Sequence, residues 1–125
     1  MASWADVERI ASGLPDVIEE RGAWRVHKKP FVWERPLRKA DLEELGDAAP
    51  TGPILGARVA DEGDKQALIA SDPAAIFTVH HFDGYNAVLV QLDKIGIDTL
   101  AEVITDAWLV QAPKRIAKQF RETRE

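Results

Sequence analysis

The chain has 125 residues, a net charge of −5 and no cysteine. One domain spanning residues 1–125 is the natural reading at this length, and the missing thiols exclude disulfides, cysteine nucleophiles and cysteine-bound zinc. The acidic total also disfavours a protein coated in nucleic acid, because phosphate binding draws on positive surface.

Ser3 followed by Asp6 resembles a capping box, and Val7, Ile10, Ala11 and Leu14 follow at helical spacing. Gly13 and Pro15 end that helix. The start, Met1 to Asp6, lacks the basic-then-apolar run of a signal peptide. No apolar stretch approaches the ~18 residues that cross a bilayer. The expectation is a soluble, cytoplasmic chain with no membrane partner.

The acidic stretch Asp16 to Glu20 reads as a connection to a hairpin. The hairpin's strands are Trp24-Arg25-Val26-His27 and Phe31-Val32-Trp33-Glu34, with Lys28-Lys29-Pro30 as the turn. Pro36 stops the second strand, Asp41 to Leu45 suit a helical turn ending at Gly46, and Asp47 to Pro53 read as a loop. Ile54 to Val59 form a third strand, and Asp61 caps a helix through Leu68 and Ile69. Asp72-Pro73 turns the chain into strands at Ile76–Val79 and Ala87–Leu92. Asp98 is expected to cap a helix whose apolar stripe is Leu100, Val103, Ile104, Ala107 and Trp108. Such a stripe reads as core. Pro113 suits the first position of a last helix, with Ile116, Ala117 and Phe120 inward and Lys114, Arg115, Lys118 and Arg121 around them.

Strand alternation assigns two sheet faces. Trp24, Val26, Phe31, Trp33, Leu55, Val59, Phe77, Val79, Val88 and Val90 share one parity and are expected to be buried under helices. Arg25, His27, Val32, Glu34, Arg58, Thr78, His80 and Gln91 share the other, with Ile54, Ile76 and Leu89 among them. That second face is expected to be open and mostly polar. The result is an α+β fold: a single two-layer domain, with a five-stranded antiparallel twisted sheet and helices packed on one face.

Charge is unevenly distributed. Between Arg21 and Lys39 stand seven basic residues and one acid, a segment of +6 against −11 for the remainder. The ordinary reading is solvated charge on an exposed hairpin. The functional one is a patch of Arg25, Lys28 and Lys29, joined on the open face by Arg58 and His80, that meets double-stranded DNA weakly through phosphates. With Trp24, Phe31 and Trp33 assigned to the buried face, base stacking is disfavoured.

Signals for catalysis are missing. His80 and His81 are adjacent and would face opposite ways on a strand, and there is no His-x-His pair, so no metal is expected. Ser3, Ser12 and Ser71 are the only serines, none in Gly-x-Ser-x-Gly, and no glycine-rich phosphate loop occurs. The reading is non-enzymatic, with no cofactor. Asp83-Gly84 marks a turn, flanked by Phe82 and Tyr85; the aromatics either fold back on the sheet or tip a wing that touches a partner.

Several segments, in order, resemble the MmcQ/YjbR family of small bacterial proteins. These are Leu14-Pro15 with Glu19-Glu20, Phe31-Val32-Trp33 after a lysine-bearing turn, and Phe82-Asp83-Gly84-Tyr85. Leu92-Asp93 and Trp108 with Ala112-Pro113-Lys114-Arg115 complete the set. The segment Gly22 to His27 departs from the family's commoner pattern in lacking a proline. The resemblance implies a twisted antiparallel sheet with helices against one face, similar to a DNA-binding "double wing" and to secretion-chaperone-like domains. It transfers no catalytic residue. Besides a DNA-binding regulator, two alternatives follow. One is a protein-interaction module or homodimer using an apolar patch near Ile54, Ile76 and Leu89; the other is a small-molecule binder with a closed pocket.

Overall fold

A computed structural model describes residues 1–124. The first helix, α1, spans Trp4–Ser12. Ser3 Oγ accepts from the Asp6 N–H at 3.4 Å, and the Asp6 carboxylate accepts from the Ser3 N–H at 2.9 Å. Both halves of the expected capping box are therefore made. Val7 and Ala11 are buried.

The sheet has six antiparallel strands, one more than the alternation pattern indicated. The added strand is β1, Val17–Glu20, inside the stretch read as a connection. It lies at the sheet edge with Ile18, Glu19 and Glu20 exposed, so it carries no buried alternation to read. Then come β2 (Ala23–Val26), β3 (Lys29–Glu34), β4 (Ile54–Arg58), β5 (Ile76–Phe77) and β6 (Ala87–Gln91), in the order β1-β2-β3-β4-β6-β5. Two-residue turns join the first three strands. Arg21 and Gly22 have φ of 55° and 80°, and His27 and Lys28 have φ of 48° and 72°. Paired positive φ values match the twist of hairpin strands. The second turn is therefore His27-Lys28, and Lys29-Pro30 belongs to β3.

A bulge in that hairpin rearranges the two faces. Trp24 pairs with Val32 but Arg25 pairs with Pro30, leaving Phe31 as the extra residue. Phe31 and Val32 both enter the main core, while Trp33 turns to the opposite face. Pro30 is tolerated at this irregularity, where a missing N–H costs no regular ladder bond. The β5 assignment also reverses. Ile76 pairs with Val90 and lies in the main core, whereas Phe77 and Val79 lie on the second face.

The main core packs under α1, α3 (Glu62–Ser71), α4 (Ile97–Gln111) and α5 (Lys114–Arg124). Leu100, Val103, Ile104, Ala107 and Trp108 are all buried, as their spacing requires. Trp108 donates from Nε1 to the Pro15 carbonyl at 3.0 Å, and its ring lies 4.9 Å from that of Phe120. Gln111 donates to the Pro30 carbonyl at 2.9 Å, tying the end of α4 to the bulged strand. Asp61 caps α3 by accepting from the Asp64 N–H at 2.8 Å. Gly96, not Asp98, holds the N-cap of α4, and Asp98 lies in its first turn, where a carboxylate suits the helix dipole. Pro113 precedes α5 and accepts the Ala117 N–H.

The second face is not open. Helix α2 (Lys39–Leu45) and a 3-10 turn at His80–Phe82 pack over it. Ile54, Val79, Phe82, Ala87 and Leu89 form a second cluster, flanked by Trp33, Leu37, Leu45 and Phe77. Ile54, Ile76 and Leu89 are buried, so the exposed apolar patch expected near them does not exist. Apolar side chains on both faces of β4 and β6 needed a second cover, which the 36–53 and 78–86 segments provide.

Candidate ligand groove on the second sheet face

The five residues expected to form one basic surface are dispersed. Arg25 lies on β2, part-buried, and donates to the Lys28 carbonyl at 3.3 Å. Lys28 and Lys29 are exposed at the hairpin tip. One acid stands near that tip, Asp16, 3.0 Å from His27 Nε2; Glu19 and Glu20 lie at the other end of β1, opposite Trp24 and Ala23. Across residues 16–39 seven bases therefore meet four acids, for a net +3. Arg58, at the end of β4, lies over the Tyr85 ring at 5.0 Å. His80 is not on a strand. It sits in the 3-10 turn, its N–H donating to Glu44 at 2.8 Å and its Nδ1 3.5 Å from the same oxygen.

A different constellation forms where β3 leaves the sheet. Trp33, Arg35, Arg38, His81, Phe82 and Tyr85 line an open groove of about 560 Å³. One wall is the chain from Trp33 to α2; the other is the 3-10 turn together with the loop after it. The Trp33 indole lies against Gly56 on β4, where no side chain intervenes. Tyr85 stands edge-on to Phe82 at 5.4 Å and is 43% exposed.

Beneath the groove lies a buried ion pair. Arg35 Nη1 is 3.0 Å from Asp41, and their side chains are only 6% and 3% exposed. The same nitrogen donates to the Pro36 carbonyl at 2.6 Å, and the guanidinium sits 5.3 Å from the Phe82 ring centre. Burial alone would raise the Asp41 carboxyl. The Arg38 N–H at 2.9 Å, the Arg35 guanidinium and the nearby His81 outweigh that and hold it below the ordinary carboxylate value. Arg35 Nη2 is buried with no protein acceptor, and so are the Nε atoms of Arg25 and Arg58. All three arginines thus carry donor capacity that the described protein groups leave unused.

Lys65 holds the opposite wall. It is 2% exposed, and Nζ donates to the carbonyls of Phe82 at 2.7 Å and Tyr85 at 3.0 Å. This fixes the end of the 3-10 turn and the loop after it, which present His81, Phe82 and Tyr85. The sequence carried a signal for it: Lys65 stands three and four residues before Leu68 and Ile69, on the apolar stripe of α3, where a lysine needs buried acceptors. Trp33 carried no comparable signal, because its face depends on the bulge, and the basic segment that contains Arg35 and Arg38 gave no sign of where the connection after β3 would place them.

Among the described residues no group of three or more His, Asp or Glu side chains is arranged to hold a metal ion. No described helix is long and apolar enough to cross a membrane.

The family model described as YjbR matches residues 12–110. An uncharacterized protein of Mycobacterium bovis and one of Mycobacterium tuberculosis are each 53% identical over 124 residues, covering 96% of both chains. The crystal structure of Deinococcus radiodurans protein DR2400, with a DUF419 domain, superposes with a TM-score of 0.64. That match has 17% identity, spans 88% of this chain and 78% of the other, and speaks to the fold alone.

Proposed function

The chain belongs to the YjbR family, and from that premise we propose that it is a non-catalytic module that binds nucleic acid around the groove where β3 leaves the second face of its sheet. The observation that carries this reading is the position of Trp33. The bulge sets it on the same face as Arg25 and Arg58 and in one groove with Arg35 and Arg38. Aromatic and arginine planes on one surface suit unpaired bases and their phosphates. Unpaired strands are therefore favoured over the duplex expected from charge alone. Binding rather than catalysis is supported by the carboxylates at hand: Asp41, beneath the groove, is engaged in a buried ion pair with Arg35, and Glu34, at its border, turns its carboxylate toward Gly22. The hairpin's Lys28 and Lys29 supply salt-sensitive attraction, and Asp16 beside the tip and the chain's acidic total keep it weak.

The test is a salt-titrated anisotropy measurement with single-stranded and duplex oligonucleotides of the same sequence. The single strand should bind more tightly, with log K falling by about 0.7 per phosphate contacted. Replacing Lys28 and Lys29 with Gln should flatten that slope by about one unit or more. No binding at low salt, or a slope untouched by the double replacement, would overturn the reading. A protein-interaction role has one specific support: edge strand β1, whose Ile18 is 69% exposed. A mass that rises with concentration and returns to the monomer on Ile18→Lys would bring that role forward.

A further inference from the structure

Resting on that reading, we propose that the groove is a site for a nucleoside phosphate, with the phosphate against Arg38 and His81 and the base against Trp33 and Tyr85. The charge arrangement points to the anion. Asp41 is neutralised by Arg35. Glu34 borders the groove, but its carboxylate lies over Gly22, on the other side of the sheet. Glu44 is engaged by His80. What remains at the groove are the Arg38 guanidinium and the His81 ring, both exposed; the Arg38 backbone N–H and the His81 ring act on Asp41, but neither side chain makes a hydrogen bond or salt bridge among the described residues. The Arg38 guanidinium is thus an uncompensated positive charge on a chain of net charge −5, with the His81 ring beside it. A guanidinium with free donors is suited to a phosphate's oxygens.

The aromatic side points to a planar ring. Trp33 is half-buried along the groove, and Tyr85 is held by Lys65 through its carbonyl and by Arg58 over its ring. Both are therefore set in place before a ligand arrives, which lowers the ordering cost of stacking. The volume of about 560 Å³ falls within the range of small-ligand sites, roughly 300–1,000 Å³. Two sources share this chemistry: a free mononucleotide and the phosphorylated 5′ end of a strand.

The experiment is resonance mapping on the full chain with adenosine 5′-monophosphate, adenosine and inorganic phosphate as probes. The monophosphate should shift the Trp33 indole N–H and the amides of Arg38 and His81. Adenosine and phosphate alone should each bind at least about tenfold more weakly. Arg38→Gln should weaken the monophosphate about tenfold and leave adenosine unchanged, which a purely structural role would not do. Tyr85→Ala, at an exposed position, should weaken both nucleoside probes and spare phosphate. Absence of shifts at the groove at millimolar monophosphate, or full affinity in both variants, would overturn the proposal. A thymidine oligonucleotide with and without a 5′-phosphate separates the sources: preference for the phosphorylated form identifies a strand end, and equal affinity identifies the free nucleotide. Strand binding with a silent groove would sink this inference alone. Monophosphate binding without strand binding at any salt would sink the nucleic-acid reading and leave the groove.

Discussion

Gly56→Ala tests the feature on which the groove depends. A methyl group built at Gly56 would stand 2.5 Å from Cε2 and Nε1 of the Trp33 indole, a rigid ring with little freedom to yield. Two effects oppose one another. Alanine in place of a strand glycine ordinarily adds about 0.5–1 kcal/mol by reducing unfolded-state freedom. Forcing the indole aside is overpacking, at about 1–3 kcal/mol. The clash is the larger, so Gly56→Ala should destabilise by about 1–2 kcal/mol. With Trp33→Ala already present, the ring is gone and the same change should stabilise by about 0.5–1 kcal/mol. The coupling between the two positions is then about 1.5–3 kcal/mol, well above the ~0.5 kcal/mol scatter of independent sites. Urea denaturation of the four proteins measures it, provided the slopes agree. Additive effects would show that Trp33 does not lie on Gly56. The bulge, the face assignment and the groove would then all be wrong.

Two further substitutions probe the supporting structure. Trp108→Ala should cost about 3–5 kcal/mol in urea, because a fully buried ring and its bond to the Pro15 carbonyl are both lost; Trp108→Phe should cost less than half of that. Asp41 is depressed in the folded state relative to its ordinary value near 3.8, so its contribution is complete above that pH and is lost as pH falls through the lower, folded value. Asp41→Asn should therefore lower stability at neutral pH and flatten its decline below about pH 4; an acid limb identical to that of the parent protein would remove Asp41 from the account.

The comparison between sequence and structure turns on a few residues. The capping box at Ser3 and Asp6, the cap at Asp61 and the stripe from Leu100 to Trp108 were all legible, because each is a local pattern read by its own helix. The antiparallel α+β fold followed from the strand and helix order together with the family resemblance, and the structural match bears it out. Edge strand β1 was not legible. Its side chains are largely solvent-facing, and only pairing to β2 makes it a strand.

The candidate site illustrates the same division more sharply. Alternation alone sent Trp33 to the core, together with Phe31. One extra residue at Phe31 reverses every side chain beyond it, and no composition rule says where such a residue falls. Arg35, Asp41, Phe82 and Lys65 come from four segments that meet only when the connections fold over the second face. The sequence by itself determined the helices, most strands, the absence of thiol chemistry and the uneven charge, since these depend on neighbours a few residues apart. Which face Trp33 takes, which acids neutralise the basic hairpin, and which donors are left unused were decided only by the tertiary structure. Each of these is set by pairing register and by contacts between segments far apart in the chain, at distances where local propensity has no influence.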